Sequence, residues 1–340
     1  MREAFGQLFE VPAGYLNTAS IGVPPVAVAD AVAEAVTRWR TGLSRPPDFD
    51  EHVETARTAW ARLAGVDSAN VAIGASVSQL VGLVAASLPP GSRVLVQANE
   101  FTSVSFPFAA CGHQVTEVSH EDLLSHVDGH DVVAISPVQS ADGSLVDLDA
   151  LRLAARSAGA RVLLDVTQAI GWLPVTLDWA DWVVGGSYKW LLAPRGAAWL
   201  ACRPELLERV TPIAANWYAA QDPWAGIYGL PLRLADTARR LDLSPVWFAQ
   251  LGAAASVSWL ADLDLTKVRA HCVGLADATL TALDLPPAGS AIVSLDLTEA
   301  QATRLAEAGV VGAARAGRTR LSFHLYNTDD DVDLVVRALR

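Results

Sequence analysis

Of the 25 basic residues in this 340-residue chain, only Lys189 and Lys267 are lysines. An amine nucleophile therefore has two side-chain candidates. Lys189 lies in Gly185-Gly186-Ser187-Tyr188-Lys189-Trp190, just past the apolar run Trp182-Val183-Val184. A lysine desolvated in apolar surroundings has a lowered pKa and can act as a nucleophile. The alternative, a solvated turn lysine, fits poorly with apolar residues on both sides. About 24 residues upstream, Asp165 closes the run Arg161-Val162-Leu163-Leu164. Open α/β sheets bind ligands beyond the carboxyl ends of their strands, which suits Asp165 to a site. It reads equally well as a helix N-cap. About 90 residues before Asp165, Val71-Ala72-Ile73 leads into Gly74-Ala75-Ser76-Val77-Ser78. Small residues between a strand and a helix offer N–H groups and the helix dipole to an anion. By itself this segment reads first as a plain capped helix start, because GxxxxGK[ST] and GxGxxG are both absent. The combination says more. Pyridoxal 5′-phosphate needs a lysine for its aldehyde, an acid for its pyridine nitrogen and a helix N-terminus for its phosphate.

The elements that must position these groups alternate. Helical periodicity fits residues 25–39 and 50–64, the second stopping at Gly65. Short apolar runs follow at 71–73, 94–96, 132–135, 162–164, 182–184 and 197–200, with helix-like segments such as 76–87 and 149–158 between them. Strands buried on both faces and separated by helices predict a mostly parallel sheet with crossover connections. After about residue 245 the texture changes to helices (246–263, 265–283, 298–308, 329–339) around strands at 291–295 and 320–325. The expected division is a large cofactor-binding domain, 16–244, and a small α+β domain formed by 1–15 and 245–340.

The chain is 51% hydrophobic and 18% charged, the composition of a globular protein with a large core. A net charge of −12 argues against a nucleic-acid partner, which needs a basic patch. Three dispersed cysteines (Cys111, Cys202, Cys272) give neither a disulfide framework nor a zinc motif, and a reducing cytoplasm fits them. The N-terminus lacks the apolar run of a signal peptide, and no stretch of ~20 residues is apolar enough to span a membrane. His113, His120, His126 and His130 match no metal-ligand spacing and are expected in solvated loops.

At this point the sequence resembles the class V family of pyridoxal-phosphate enzymes, which includes cysteine desulfurases, kynureninase, isopenicillin N epimerase and the ergothioneine-pathway C–S lyase. Tyr15-Leu16-Asn17-Thr18-Ala19-Ser20 is similar to the family's opening segment. Asp165-Val166-Thr167-Gln168 resembles its D-x-x-Q/H element, and Ser187-Tyr188-Lys189 its Schiff-base lysine. Arg320-Leu321-Ser322-Phe323-His324-Leu325-Tyr326-Asn327-Thr328 resembles the C-terminal R-x-S-x-x-x-Y-N-T stretch. The resemblance implies the fold type I architecture and pyridoxal 5′-phosphate as cofactor. It implies that Lys189 forms the imine and shuttles the substrate Cα proton, that Asp165 pairs with the ring nitrogen, and that Gln168 bonds the ring oxygen. Ala75 and Ser76, helped by Ser187 and Tyr188, would hold the phosphate. Phe101 would stack on the ring. Arg320 would clamp the substrate carboxylate, with Asn17, Gln139 and Ser140 on the substrate side. A partner subunit would supply Ser244 and Trp217, making the protein a homodimer.

Two departures bear on the reaction. Cysteine desulfurases stack a histidine where this chain has Phe101, and they carry a cysteine before the C-terminal arginine. Residues 309–318 contain none. The expectation is a lyase that removes a β-substituent from an α-amino acid, with a C–S bond as one candidate linkage. Transamination or epimerisation is the alternative, with cysteine desulfuration behind both. An inactive binding protein on the same fold is the non-enzymatic reading, which the intact Lys189 and Asp165 oppose. Arg315 and Arg318 are candidates to meet an acidic side chain, or are simply solvated loop arginines.

Overall fold

The computed structural model describes residues 1–340. Its strands are β1 (Arg2–Ala4), β2 (Gln7–Phe9), β3 (Val71–Gly74), β4 (Arg93–Gln97), β5 (Gln114–Val118), β6 (Val132–Ile135), β7 (Arg161–Asp165), β8 (Trp182–Gly186), β9 (Ala198–Cys202), β10 (Ile292–Leu295), β11 (Ala313–Arg315) and β12 (Arg318–Ser322). Its helices are α1 (Val26–Arg40), α2 (Asp50–Ala64), α3 (Val77–Ala85), α4 (Thr102–Ala110), α5 (Leu148–Ala158), α6 (Trp247–Asp262), α7 (Leu265–Ala282), α8 (Glu299–Glu307) and α9 (Asp329–Leu339).

Seven strands form the main sheet in the order β3-β9-β8-β7-β6-β4-β5. Pairing is parallel from β5 to β8, and β9 runs antiparallel to both of its neighbours. The apolar runs alternate between two cores. Val133, Ile135, Leu164 and Val183 face one cluster, while Val132, Ala134, Leu163 and Val184 face the other. Burial on both faces is why these strands read as continuous apolar runs. The long helix α6 adds Ala253, Val257 and Leu260 to the first of these clusters.

The register brings the three chemical segments to one edge. Ala198 pairs with Gly74 on one side and Gly186 on the other, while Asp165 pairs with Val184. The turn after β3, the acid ending β7 and the lysine loop after β8 therefore emerge side by side.

A second sheet, β10-β12-β11, is antiparallel and packs with α7, α8 and α9 around Val293, Leu321, Leu305 and Val335. Residues 15–22 strap it to the lysine loop. Leu16 bonds Val311 and Ser322, and Gly22 N donates to Tyr188 O at 2.9 Å. A Cβ on Gly22 would sit 2.1 Å from the Lys189 carbonyl oxygen, so the close approach requires glycine.

Sequence periodicity does not reveal β5, whose polar residues Gln114, Thr116 and Glu117 suit a sheet edge, nor α4, which carries Pro107.

Candidate active site

A cavity of about 180 Å³ opens over the shared strand edge. Ala75 and Ser76 line it from the β3–α3 turn, Ser78 from the first turn of α3, and Phe101 and Ser103 from the start of α4. Ser136 and Ser140 follow β6, Asp165 ends β7 with Thr167 and Gln168 just beyond it, and Tyr188, Lys189 and Arg195 follow β8.

Lys189 is 6% exposed and makes no hydrogen bond or ion pair. Its Nζ lies 5.1 Å from the Phe101 ring centroid and 5.7 Å from that of Tyr188. Burial pushes its pKa down to about 8. Asp165 opposes that shift, and Arg320, Arg315 and Arg195 add to it. Asp165 is equally enclosed. Its Oδ1 accepts Thr167 N–H at 2.9 Å and the Thr167 hydroxyl, which in turn accepts Gly186 N–H at 3.0 Å. No protein donor reaches Oδ2. Burial raises the carboxyl pKa, while Thr167 and Lys189 pull it back.

Ser76 caps α3 in position but not in bonding. Its side chain accepts no helix N–H, and its hydroxyl lies 3.4 Å from that of Ser78. An uncapped helix start with two hydroxyls facing a cavity suits an anion. Arg195 adds a cation on the same wall, its guanidinium 5.2 Å over the Tyr188 ring.

Gln168 lines the cavity with its amide already engaged. Nε2 donates to Ala19 O at 3.0 Å and Ser140 Oγ at 2.9 Å, and Oε1 accepts Trp190 Nε1–H at 2.8 Å. Arg320 lies behind Ser140, donating to the Ser140 carbonyl, to Ser140 Oγ at 3.2 Å and to Ser20 Oγ at 2.8 Å. No carboxylate pairs with it.

The other expected site residues are not brought to the cavity wall. Ser187 is fully buried and its hydroxyl donates to Pro194 O at 2.6 Å. Gln139 is buried with its amide 3.4 Å from Ala98 O. Asn17 stands on the strap, its buried Oδ1 without a partner. Trp217 packs on Trp224, ring centroids 5.0 Å apart, in a separate depression. Ser244 is exposed, next to Leu243, whose N–H bonds Ile73 O.

Several residues at the site escaped sequence reasoning. Thr167 carried a visible signal, an Asp-x-Thr turn directly after a strand. Glu100 carried none. It is 7% exposed, its Oε1 accepts Phe101 N–H and its Oε2 accepts Ser136 N–H, each at 2.7 Å. Burial pushes its carboxyl pKa up to about 7. It fixes both Phe101 and the loop after β6.

An unpartnered buried ammonium, a buried carboxylate with a free oxygen and an uncapped helix start make a donor set that fits pyridoxal 5′-phosphate. This topology and this site define a fold type I pyridoxal-phosphate enzyme. The aminotransferase class-V family model matches residues 24–301, and the chain belongs to that family. Its cofactor is pyridoxal 5′-phosphate. The match ends before β12, the strand that carries Arg320.

Among curated relatives, the chain is 26% identical to the uncharacterized aminotransferase YcbU of Bacillus subtilis, with 97% of this chain and 95% of that protein covered. It is 27% identical to isopenicillin N epimerase of Streptomyces clavuligerus (95% and 93% covered). It is also 27% identical to a probable hercynylcysteine sulfoxide lyase of Mycobacterium tuberculosis (84% and 79%). Its fold is that of the cystine C–S lyase C-DES, with a TM-score of 0.84 at 17% identity, covering 97% of this chain and 98% of that one. It is likewise that of the cysteine desulfurase CsdA of Escherichia coli, with a TM-score of 0.83 at 21% identity over 97% and 95%.

Proposed function

We propose that this protein is a lyase that eliminates a β-substituent, through a C–S bond in the first instance, from an α-amino acid. The observation that carries the reading is the pair Lys189 and Asp165, buried on adjacent strand ends with functional atoms left free. When bound, the cofactor supplies an aldehyde for the substrate amine and a ring that accepts the electron pair left at Cα.

The chain's own residues do the rest. Lys189 holds the cofactor and moves the proton at the substrate Cα. A lysine pKa lowered to about 8 lets it act as a base near neutrality. Asp165 Oδ2 accepts from the ring nitrogen and keeps it protonated. Ser76, Ser78 and the first N–H groups of α3 bind the phosphate, with Tyr188 and Arg195 alongside. Phe101 stacks on the ring, positioned by Glu100, and Gln168 faces the ring oxygen. Arg320 turns from Ser140 to the substrate carboxylate as a bidentate pair, beside Asn17, Gln139 and Ser140.

Elimination is favoured over desulfuration because no cysteine lines the cavity. The β11–β12 hairpin has none either. Cys202 and Cys272 are buried, with thiol pKa values pushed up, that of Cys202 to about 12. Transamination or epimerisation is the second reading, supported by the near full-length similarity to YcbU and to the epimerase.

We also propose a cytoplasmic homodimer in which the partner's copies of Trp217 and Ser244 complete the phosphate side. The free thiols fit a reducing compartment. The exposed apolar run Tyr228, Leu230 and Leu232 (87%, 89% and 65% exposed) fits a contact with a second copy.

The test is a panel of L-amino acids and S-conjugates incubated with the holoenzyme. Pyruvate and ammonia formed without any keto-acid acceptor support elimination. Strict dependence on an acceptor overturns it in favour of transamination.

A further inference from the structure

The β11–β12 hairpin turns through Ala316 and Gly317 and sets Arg315 directly opposite Arg318. Arg320 lies two residues beyond Arg318 and so on the same face, opposite the small Ala313. Three guanidiniums thus share one face of the β11–β12 hairpin. None has a carboxylate within ion-pairing distance, in a chain whose net charge is −12. Their bonds go to neutral acceptors. Arg318 Nη2 donates to Ser294 O at 3.1 Å and Arg315 Nη1 to Ala314 O at 2.7 Å. Arg315 Nη2 and Arg320 Nη2 converge on the same hydroxyl, Ser20 Oγ, at 3.4 and 2.8 Å.

Like charges placed opposite each other on a ribbon repel. Two such groups meeting at one hydroxyl, with no acid between them, carry positive charge enough to pair with more than one anionic group. Both charges also act on Lys189, whose ammonium they push down further than burial alone does. The α-carboxylate of an amino acid neutralises one guanidinium and leaves the other unpaired.

Resting on the reading that an α-amino acid binds at Lys189, we propose that the substrate bears a side-chain carboxylate that Arg315 binds while Arg320 holds the α-carboxylate, with Ser20 between the two arginines. The enzyme therefore selects acidic amino acids or carboxylated S-conjugates over neutral ones.

The test uses the holoenzyme and two matched pairs of probes that differ in reach. These are L-aspartate against L-asparagine, and S-carboxymethyl-L-cysteine against S-carbamoylmethyl-L-cysteine. Dissociation constants are read from the change in the cofactor's absorption spectrum and by calorimetry. In at least one pair the acid should bind roughly 10-fold or more tightly than its amide, the size of a charge-assisted contact. Arg315→Gln should bring the acid to the amide's affinity and leave the amide unchanged. Arg315→Lys should recover part of the difference, and Arg320→Gln should weaken both members of a pair. Equal binding within both pairs, or an Arg315→Gln variant that weakens acid and amide alike, overturns the inference but not the α-amino-acid reading. A holoenzyme that answers to none of the four probes but to other members of the L-amino-acid panel overturns the inference alone, and one that answers to no α-amino acid overturns that reading and the inference with it.

Discussion

Arg57 and Asp242 are as enclosed as Lys189 and Asp165, at 2% and 1% exposed against 6% and 5%. Their partners differ. Arg57 Nη1 and Nη2 donate to the two oxygens of Asp242 at 3.0 and 2.8 Å, and Nη1 also reaches Val71 O at 2.6 Å. Asp242 Oδ1 accepts Ile73 N–H at 2.8 Å, and Glu54 takes the remaining Arg57 Nε–H at 3.1 Å. Every strong donor and acceptor is met, and the pair pins α2 and the loop before α6 to β3. Burial works to lower the Arg57 pKa, but Asp242 and Glu54 outweigh it and hold it raised. At Lys189 burial wins and the pKa falls. Burial alone therefore does not separate a staple from a reactive site. Completeness of partners does, because a buried charge without a partner is held at a cost that only a ligand relieves.

The largest expected effect lies on the staple side. Arg57→Ala leaves Asp242 buried without its bidentate cation and should cost ~3–5 kcal/mol in denaturant unfolding. A loss under ~1 kcal/mol would erase the contrast. The opposite sign is expected on the site side. Lys189→Met should abolish activity yet stabilise the apoprotein, by on the order of 3 kcal/mol, because burial holds the Lys189 pKa down at about 8 in the folded chain. The gain depends on pH with a definite sign. Below about 8, folded and unfolded chains both hold the Lys189 proton, and the native protein bears the full burial penalty. From about 8 to 10.5 the unfolded chain keeps a proton that the folded chain has lost, so native stability rises with pH. The advantage of Lys189→Met should therefore be greatest below pH ~8 and fade by pH ~10.5. An unfolding series that shows Lys189→Met less stable at pH 7 would contradict it. A smaller effect sharpens the boundary between the regions. Gly22→Ala places a methyl against the Lys189 carbonyl and should cost about 2 kcal/mol. Retained cofactor should fall with stability, measured by gel filtration and absorbance, because the lysine loop must shift.

How far the sequence revealed this contrast follows from the range of the interactions. Lys189 and Asp165 were legible because Asp165 ends one continuous apolar strand and Lys189 lies three residues past the end of another, and their adjacency follows from parallel pairing. The uncapped Ser76 was legible as a helix start, although its missing cap bond was not. Arg57 and Asp242 are 185 residues apart, and no local pattern joins them. Glu100 and Arg195 sit in short loops whose geometry is set by the strands on either side. Ser140 belongs to the expected set and meets Gln168 because β6 and β7 are neighbours, yet its link to Arg320 arises only where the second sheet closes over the cavity. The shared target of Arg315 and Arg320 depends likewise on residues 15–22 crossing from one sheet to the other.

The central claim is that Lys189 is the amine that holds the cofactor, and the scarcity of lysine makes its test nearly binary. The holoenzyme, reduced with borohydride and digested, should yield one peptide carrying the cofactor mass, and that peptide should contain Lys189. The same treatment of Lys189→Met should yield none. A cofactor adduct on Lys267, or an unmodified Lys189 peptide from protein that had bound pyridoxal 5′-phosphate, would contradict the account.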